Sequence, residues 1–465
     1  MKFIKRFGAM ALAVALLLAA LPALASAAQT DWDGYTIITT PADLDAIRNN
    51  LSGKYRLYSD LDLSGYISST STATKGWKPI GYGSSFTGEL DGNGHTILGL
   101  WSKWGISYAG LFSVAKGATI KNLVIDLEDA SITGGYEVGA VTGVAKNGTV
   151  IQNVMVIGGK IAVTAGGYAG AIAGRAYGSP AVSIRYCSVM ETATKTSGNY
   201  SGALVGVLDG GAVIEYSMAE DTLSEGVSYV GGLVGALKGG STIHGSFSSG
   251  EAKAKVSYAG GLAGVVYEKS SITESEAIGD ASAHTYAGGL VGTIYGGSRL
   301  EMVGASGNAT TKAYIAGGLA GEVIDATISN AYAHGDVQGT TGVGGLVGYF
   351  SGSGSSRGKS VENSYSTGRV TGTGTTEYGA FNGRSGVRYL GANFYDDSKA
   401  NAPRAYGTSG NPYGDASAFP AGHDTDEMFL QSTYEGWDFD NVWSIVEGLS
   451  YPYLKFSVPI GNVAE

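Results

Sequence analysis

The chain reads as all-β, wound into a right-handed parallel β-helix. Three observations carry that reading. First, a phrase of Tyr, a short bridge and Gly-Gly-Leu-Val-Gly recurs, most clearly at Tyr229 to Gly235, Tyr258 to Gly264 and Tyr286 to Gly292. Its closing glycines fall at 143, 174, 206, 235, 264, 292, 321 and 348. A period of this size belongs to a solenoid, a propeller or a repeat array. Second, Gly is 76 of 465 residues and charged residues are 15%, while 43% are hydrophobic. That apolar content supports a core and argues against disorder. Third, the spacing is too short for propeller blades, which need four strands and about 40 residues. The glycine content and the lack of a 3.6-residue pattern exclude an α-solenoid.

Stacking the repeats reveals columns. An aliphatic residue follows each phrase: Ile120, Ile151, Ile184, Ile214, Ile243, Ile272, Leu300, Ile328 and Val361. The positions three and five residues later share one strand face, because side chains alternate with period two. The aliphatic residue is out of phase with them, so a bend lies between. Asn122, Asn153, Asn330 and Asn363 recur two residues after it, a residue type suited to tight corners. Each repeat is therefore expected to be a coil of about three short strands. About nine coils would make a rod of roughly 40–45 Å.

In chain order, residues 1–27 read as a secretory signal peptide. Lys2, Lys5 and Arg6 precede an apolar run, and Ala25-Ser26-Ala27 fits a cleavage site between Ala27 and Ala28. Cleavage removes those three basic residues and no acidic one, taking the formal charge from −10 to −13. An acidic surface argues against nucleic acid and anionic membranes as partners. No later stretch is apolar enough to span a bilayer. Residues 28–107 form an N-terminal cap and the first strands. Thr40-Pro41-Ala42-Asp43 is a helix start, with Leu51-Ser52-Gly53 ending the helix. Lys54 to Ser59 alternates as a strand, and a Ser- and Thr-rich loop is expected through Lys75. Phe86 to Leu90 and His95 to Leu100 flank Asp91-Gly92-Asn93-Gly94, a strand, tight turn and strand. Residues 108–384 are the repeats. Residues 385–465 are irregular, with Pro403, Pro412 and Pro420, and end in an aromatic cap containing Trp437, Trp443, Tyr451 and Tyr453.

Five copies of Gly-Leu-any-Gly, at Gly232, Gly261, Gly289, Gly318 and Gly345, make the chain resemble the GLUG-motif proteins. The flanks Asp60-Leu61-Asp62-Leu63, Gly76-Trp77-Lys78-Pro79-Ile80-Gly81 and Phe86 to His95 resemble that group's leading segment. Gly436-Trp437-Asp438-Phe439 and Tyr451-Pro452-Tyr453-Leu454 resemble its closing segment. Such modules occur in bacterial surface proteins, adhesin-like proteins and the non-catalytic part of IgA-cleaving metallopeptidases. The resemblance implies architecture more than activity, and the early coils are degenerate copies.

No catalytic constellation emerges. None of His95, His244, His284, His334 or His423 begins a His-Glu-x-x-His motif. Glu215 and Glu301 share a column but lie several coils apart, too far for the ~5 Å geometry of a retaining glycosidase. Asp396-Asp397 is more naturally a solvated turn than a loop calcium site, and Asp60, Asp62 and Asp91 read as strand and turn residues. Cys187 reads as small-residue packing. The column Tyr168, Tyr200, Tyr229, Tyr258 and Tyr286 leaves two readings. If strand phase holds to Leu233, Leu262 and Leu290, the tyrosines stack in the core, which is the favoured reading. If phase breaks at the glycines, they form an exposed stripe able to stack on sugar rings.

The functional expectation is a secreted, non-catalytic binding and adhesion module, extracellular or at the bacterial cell surface. It needs no cofactor or metal, is a monomer, and has glycan or cell-surface and host proteins as partners. A carbohydrate-active enzyme and a structural spacer of the cell envelope are the alternatives.

Overall fold

Short, period-matched strands cannot bury their apolar face alone, and stacking identical coils solves this. The computed structural model shows that solution. It describes residues 29–69, 74–351, 360–373, 377–385, 388–402, 404–407 and 419–456. The stretch read as a signal peptide, with Ala27 and Ala28, lies outside these residues, as do Pro403 and Pro412. The described chain is an all-β parallel solenoid of about eleven turns, more than the nine expected. The extra turns come from both flanks: the strands of the leading segment, and Arg388–Leu390 and Phe394–Asp396 after the last expected coil, join the same parallel ladder. Among the described residues, no helix is long and apolar enough to cross a membrane.

One coil illustrates the rest. Tyr229–Gly231 lies in a tyrosine sheet, Val234–Leu237 in a valine sheet, Thr242–His244 and Phe247–Ser248 in an aliphatic sheet, and Glu251–Ala254 in a return sheet. The expected three faces are therefore four. Each strand pairs in parallel and in register with its counterpart one coil on, as Tyr229 with Tyr258 and Ile243 with Ile272.

The four faces enclose two cores. The larger holds the aliphatic column together with Leu233, Leu262, Leu290, Leu319 and Leu346, all fully buried. The smaller holds Val230, Ala259, Ala287 and Ala316 of the tyrosine sheet against Ala252, Ala281 and Ala309 of the return sheet. Between the lobes the chain pinches. A Cβ on Gly232 would stand 2.1 Å from the Gly261 carbonyl oxygen and 2.4 Å from Ser248 Oγ. The second glycine of the phrase is thus required by close approach between coils rather than by an unusual φ.

The bend after the aliphatic column is a left-handed residue in every coil from Asn122 to Asn363. Asn122, Asn153, Asn330 and Asn363 have φ of 46–53°, and so do Tyr186, Tyr216, Glu274 and Met302, at 47–53°. Asn153 Nδ2 donates to Asn122 Oδ1 at 3.0 Å, and Asn122 Nδ2 donates to Asp91 Oδ1 at 3.0 Å, forming a side-chain ladder. Just past the bend the strand is interrupted in several coils, and hydroxyls replace the backbone ladder. Ser217, Ser246 and Ser275 accept at 3.1–3.2 Å from the N–H of Cys187, Ser217 and Ser246. Each hydroxyl donates to the carbonyl two residues earlier in its own coil. Burying these serines is therefore tolerated, since every polar group has a partner.

Thr40 caps the helix Pro41–Ala46 in a reciprocal capping box with Asp43, as expected. Two readings of the leading segment are corrected. The Ser- and Thr-rich stretch begins with a helix, Leu63–Ser69, rather than a loop. Leu63 and Ile67 lie four apart and are buried, so tertiary burial overrides weak propensity. The strands Glu89–Asp91 and Thr96–Leu98 do not pair with each other. Each joins the axial ladder through Thr119–Asp126, so the Asp91–Gly94 turn is a corner within one face, not a hairpin.

At the other end, Ala421–His423 extends the aliphatic sheet. The chain then folds back along the flank. Trp437, Trp443, Tyr434 and Tyr451 pack on Tyr332, Tyr365 and Phe394, outward residues of the last coils. The aromatic segment therefore clamps a side of the solenoid.

Candidate functional site

The tyrosine column faces outward. Tyr168, Tyr200, Tyr229, Tyr258 and Tyr286 are half-buried, which corrects the favoured reading of a core stack. Phase breaks at the glycines: Val230 points into the small lobe, and the chain turns a corner before Leu233 enters the large one. Yet the rings are not free. Tyr168, Tyr200 and Tyr229 fold over Val207, Ala236 and Val265, outward residues of the valine sheet that are buried beneath them. Tyr267 and Tyr295 approach from the far edge of that sheet, stacked on each other at 5.0 Å. The result is an aromatic pavement on an apolar floor, a layer outside both cores.

Within the row, Tyr200, Tyr229, Tyr258 and Tyr286 stack at 4.8–5.2 Å with interplanar angles of 5–13°. Tyr136, Tyr168 and Tyr314 are tilted or edge-on at the ends. In the stacked part, ring faces are covered by neighbouring rings. Each residue stays half-exposed, one per coil. Stacking of a sugar on these ring faces, the expectation attached to an exposed stripe, is blocked there by the ladder itself. Desolvation pushes the Tyr200 and Tyr286 hydroxyls up to about 12, so they remain protonated donors at neutral pH.

A carboxylate lies buried near each end of the pavement, and sequence reasoning missed both. Glu137 takes the tyrosine register position in the second repeat, opposite Tyr108 and Tyr168. It is 5% exposed, and its Oε2 has no hydrogen-bond partner. Burial pushes its carboxyl up to about 7, and Arg175 only partly opposes this. Arg175 itself donates to Asp209 at 2.9 Å and lies over the Tyr177 ring. Glu322 occupies the floor column one coil after Thr293, whose hydroxyl donates to it at 3.2 Å, and burial raises its pKa. A glutamate replacing Tyr in the register was the available signal for Glu137.

A second aromatic feature also escaped notice. Tyr186 and Tyr216 stack at 5.4 Å and 10° on the left-handed corner, 54% and 48% exposed. Tyr216 lies flat over Gly245, whose Cβ would come within 2.6 Å of the ring.

The remaining candidates have structural surroundings. Asp60 accepts from the Thr96 N–H, Asp62 from the Ser64 N–H, and Asp91 from Asn93 N–H and Asn122 Nδ2. Asp396 is buried and accepts from Ser398, Thr425 and Tyr451 hydroxyls, while Asp397 is exposed. Cys187 is buried, its thiol pushed up to about 12 by desolvation. Glu215 and Glu301 stand three coils apart, separated by His244 and Thr273. Among the described residues, no three His, Cys, Asp or Glu side chains converge to hold a metal ion.

Known proteins resemble parts of this chain. Halomucin of Haloquadratum walsbyi is 40% identical over 129 residues, 26% of this chain and 1% of halomucin. A protein named as a Gly-rich membrane protein, from Evansella cellulosilytica, is 36% identical over 126 residues, 26% of this chain and 14% of its own length. The chain therefore spans only a small part of these relatives. A crystal structure described as an immunoglobulin A1 protease from Bacteroides ovatus aligns over 92% of this chain and 94% of its own, at 14% identity and a TM-score of 0.33. An IgA1 protease structure aligns over 76% of this chain and 24% of its own, at 16% identity and a TM-score of 0.31. Residues 40–158, the stretch that carries the leading motifs, match the family model of the N-terminal region of the M26 IgA1-specific metallo-endopeptidases.

Proposed function

We propose that the chain is a secreted, non-catalytic β-solenoid module that binds an extended, uncharged polysaccharide along its tyrosine pavement, at the cell surface or in the extracellular space. The observation that carries this reading is the row of tyrosine edges and hydroxyls repeating once per coil over a buried apolar floor. A β-linked polysaccharide in extended form advances by nearly the same length per sugar as the solenoid does per coil. Successive sugars would meet successive hydroxyl donors without strain in either partner. Tyrosine supplies apolar contact and a hydrogen bond at low entropic cost, which is why binding surfaces favour it. The match to the N-terminal region of a metallopeptidase family is in keeping with a module that acts beside chemistry carried elsewhere.

The test is affinity electrophoresis of residues 28–465 in gels containing uncharged β-linked polysaccharides, alongside the variant Tyr200→Phe/Tyr229→Phe/Tyr258→Phe. Retardation of the parent, lost in the variant and unaccompanied by new reducing ends, supports the reading. Equal retardation of both, or none of either, removes it. Release of reducing ends would instead favour a carbohydrate-active enzyme.

A further inference from the structure

A cleft of about 1130 Å³ opens where the closing segment folds back over the last coils, away from the pavement. Its solenoid wall carries Asp336 and Arg369, directly after Gly335 and Gly368, with Lys399 beside them from the irregular segment. Its opposite wall carries Leu449, Tyr451 and Tyr453.

The chain has a formal charge of −10. Several of its less exposed cations are matched: Arg56 to Asp31, Asp33 and Asp91, Lys121 to Glu89, and Arg175 to Asp209. Among the described residues, neither Arg369 nor Lys399 forms an ion pair, although both line one cavity. Lys399 Nζ sits 5.0 Å from the centre of the Tyr451 ring. Asp336 commits one oxygen to the Arg369 N–H at 3.0 Å, leaving the other for a ligand. The Asp397 carboxylate also borders the space.

The cavity floor is already satisfied. Tyr365 donates to the Pro452 carbonyl, which makes His334 Nε2 the donor to Tyr365 at 3.1 Å and Nδ1 the acceptor from Thr367 at 2.8 Å. Asp396 is saturated by three hydroxyls and the Lys399 N–H. What remains open is therefore two cationic donors, two carboxylate acceptors and an apolar edge formed by Leu449 and Tyr453.

We propose that this cleft binds a carboxylated sugar of the uronate class. Its carboxylate lies between Arg369 and Lys399, its ring hydroxyls donate to Asp336 and Asp397, and its apolar ring face rests on Leu449 and Tyr453, the accessible part of the opposite wall. A simple inorganic anion would use the cations but leave the two aspartates opposed to it, and a neutral sugar would leave the cations unmatched. The site is independent of the pavement reading, since no residue is shared.

The experiment is isothermal titration of residues 28–465 with a trigalacturonate, with its methyl ester, and with inorganic sulfate. The variants are Arg369→Ala/Lys399→Ala, and Tyr258→Phe as a pavement control. Arg369 and Lys399 are exposed, so the double variant should keep the parent melting temperature. Expected are binding of the acid, at least tenfold weaker binding of the ester and of the double variant, weakening with salt, and no change in Tyr258→Phe. Equal affinity for acid and ester, an unaffected double variant, sulfate competing as well as the uronate, or no binding of the acid would each overturn the proposal.

Discussion

The pavement and the closing aromatic cluster use the same kind of residue under different constraints. In the pavement one tyrosine recurs per coil, each ring packs on the next, and each remains half-exposed. In the closing cluster Tyr365 and Trp443 are fully buried, Tyr332, Tyr434, Trp437 and Tyr451 surround them, and the contacts link residues far apart in sequence, as Tyr365 with Pro452, 87 residues on. The pavement is local and repetitive, so loss of one ring is shared by its neighbours. The cluster is a single non-repeated junction holding the closing segment to the solenoid. Repetition makes a surface tolerant, whereas a unique junction concentrates stability.

That contrast is sharpest in truncation. Trp443→Ala should cost about 3–5 kcal/mol, by cavity formation at a fully buried site. Tyr229→Ala should cost about 1–2 kcal/mol, from one half-buried ring and two stacking contacts. Denaturant melts followed by tryptophan fluorescence would separate them. Equal losses would mean the pavement is as much a core as the cluster.

Proton linkage acts on the two regions in opposite directions. Burial and Lys399 lower the pKa of His334, in the junction, from 6.5 to about 4. Above pH 6.5 it is neutral in both folded and unfolded chains. As pH falls from 6.5 towards 4 the unfolded chain takes up the proton first, and stability drops by about 3 kcal/mol. Glu137, at the pavement end, has its pKa raised from 4.5 to about 7. Below pH 4.5 it is neutral in both states. As pH rises from 4.5 towards 7 the unfolded chain ionises first, and stability again falls by about 3 kcal/mol. Glu137→Gln should therefore gain melting temperature at pH 8 and little at pH 4. A gain of equal size at both pH values would show that the carboxylate is not held neutral.

Tyr258→Phe keeps the ring ladder and removes one hydroxyl, so its stability should change by less than about 0.5 kcal/mol. Any loss of polysaccharide retardation in that variant then reports on the hydroxyl rather than on folding. The smallest effect is expected at the corner. Tyr186→Asn relieves a left-handed tyrosine and extends the Asp91–Asn122–Asn153 ladder, at the expense of stacking on Tyr216. A net gain of about 0.5 kcal/mol follows from those opposing contributions, readable as a small rise in melting temperature. A loss would indicate that the Tyr186–Tyr216 stack outweighs the backbone strain.

Much of the coil was legible in the residues. The aliphatic column, its out-of-phase bend, the asparagine corners and the Thr40 helix start all appear where pattern and turn chemistry place them. The serine column could be recognised as inward-facing, but not as a hydrogen-bond ladder, because its donors come from the neighbouring coil. The helix Leu63–Ser69 was hidden by its serines, and the Asp91–Gly94 turn resembled a hairpin because local sequence cannot say which strand is the partner. Glu322, the burial of Glu137 and the cleft beside Lys399 were invisible for the same reason: burial and convergence are properties of coils brought together.

The period, the small residues at the pinch and the alternation of each short strand are local chemistry, repeated, and they suffice to specify a stacked parallel solenoid. The outward turn of the tyrosines was decided only in three dimensions. Strand phase is lost at Gly231-Gly232, and the corner there depends on how closely successive backbones approach. A chain read in one dimension has no access to that distance, and it separates a tyrosine core from a tyrosine surface.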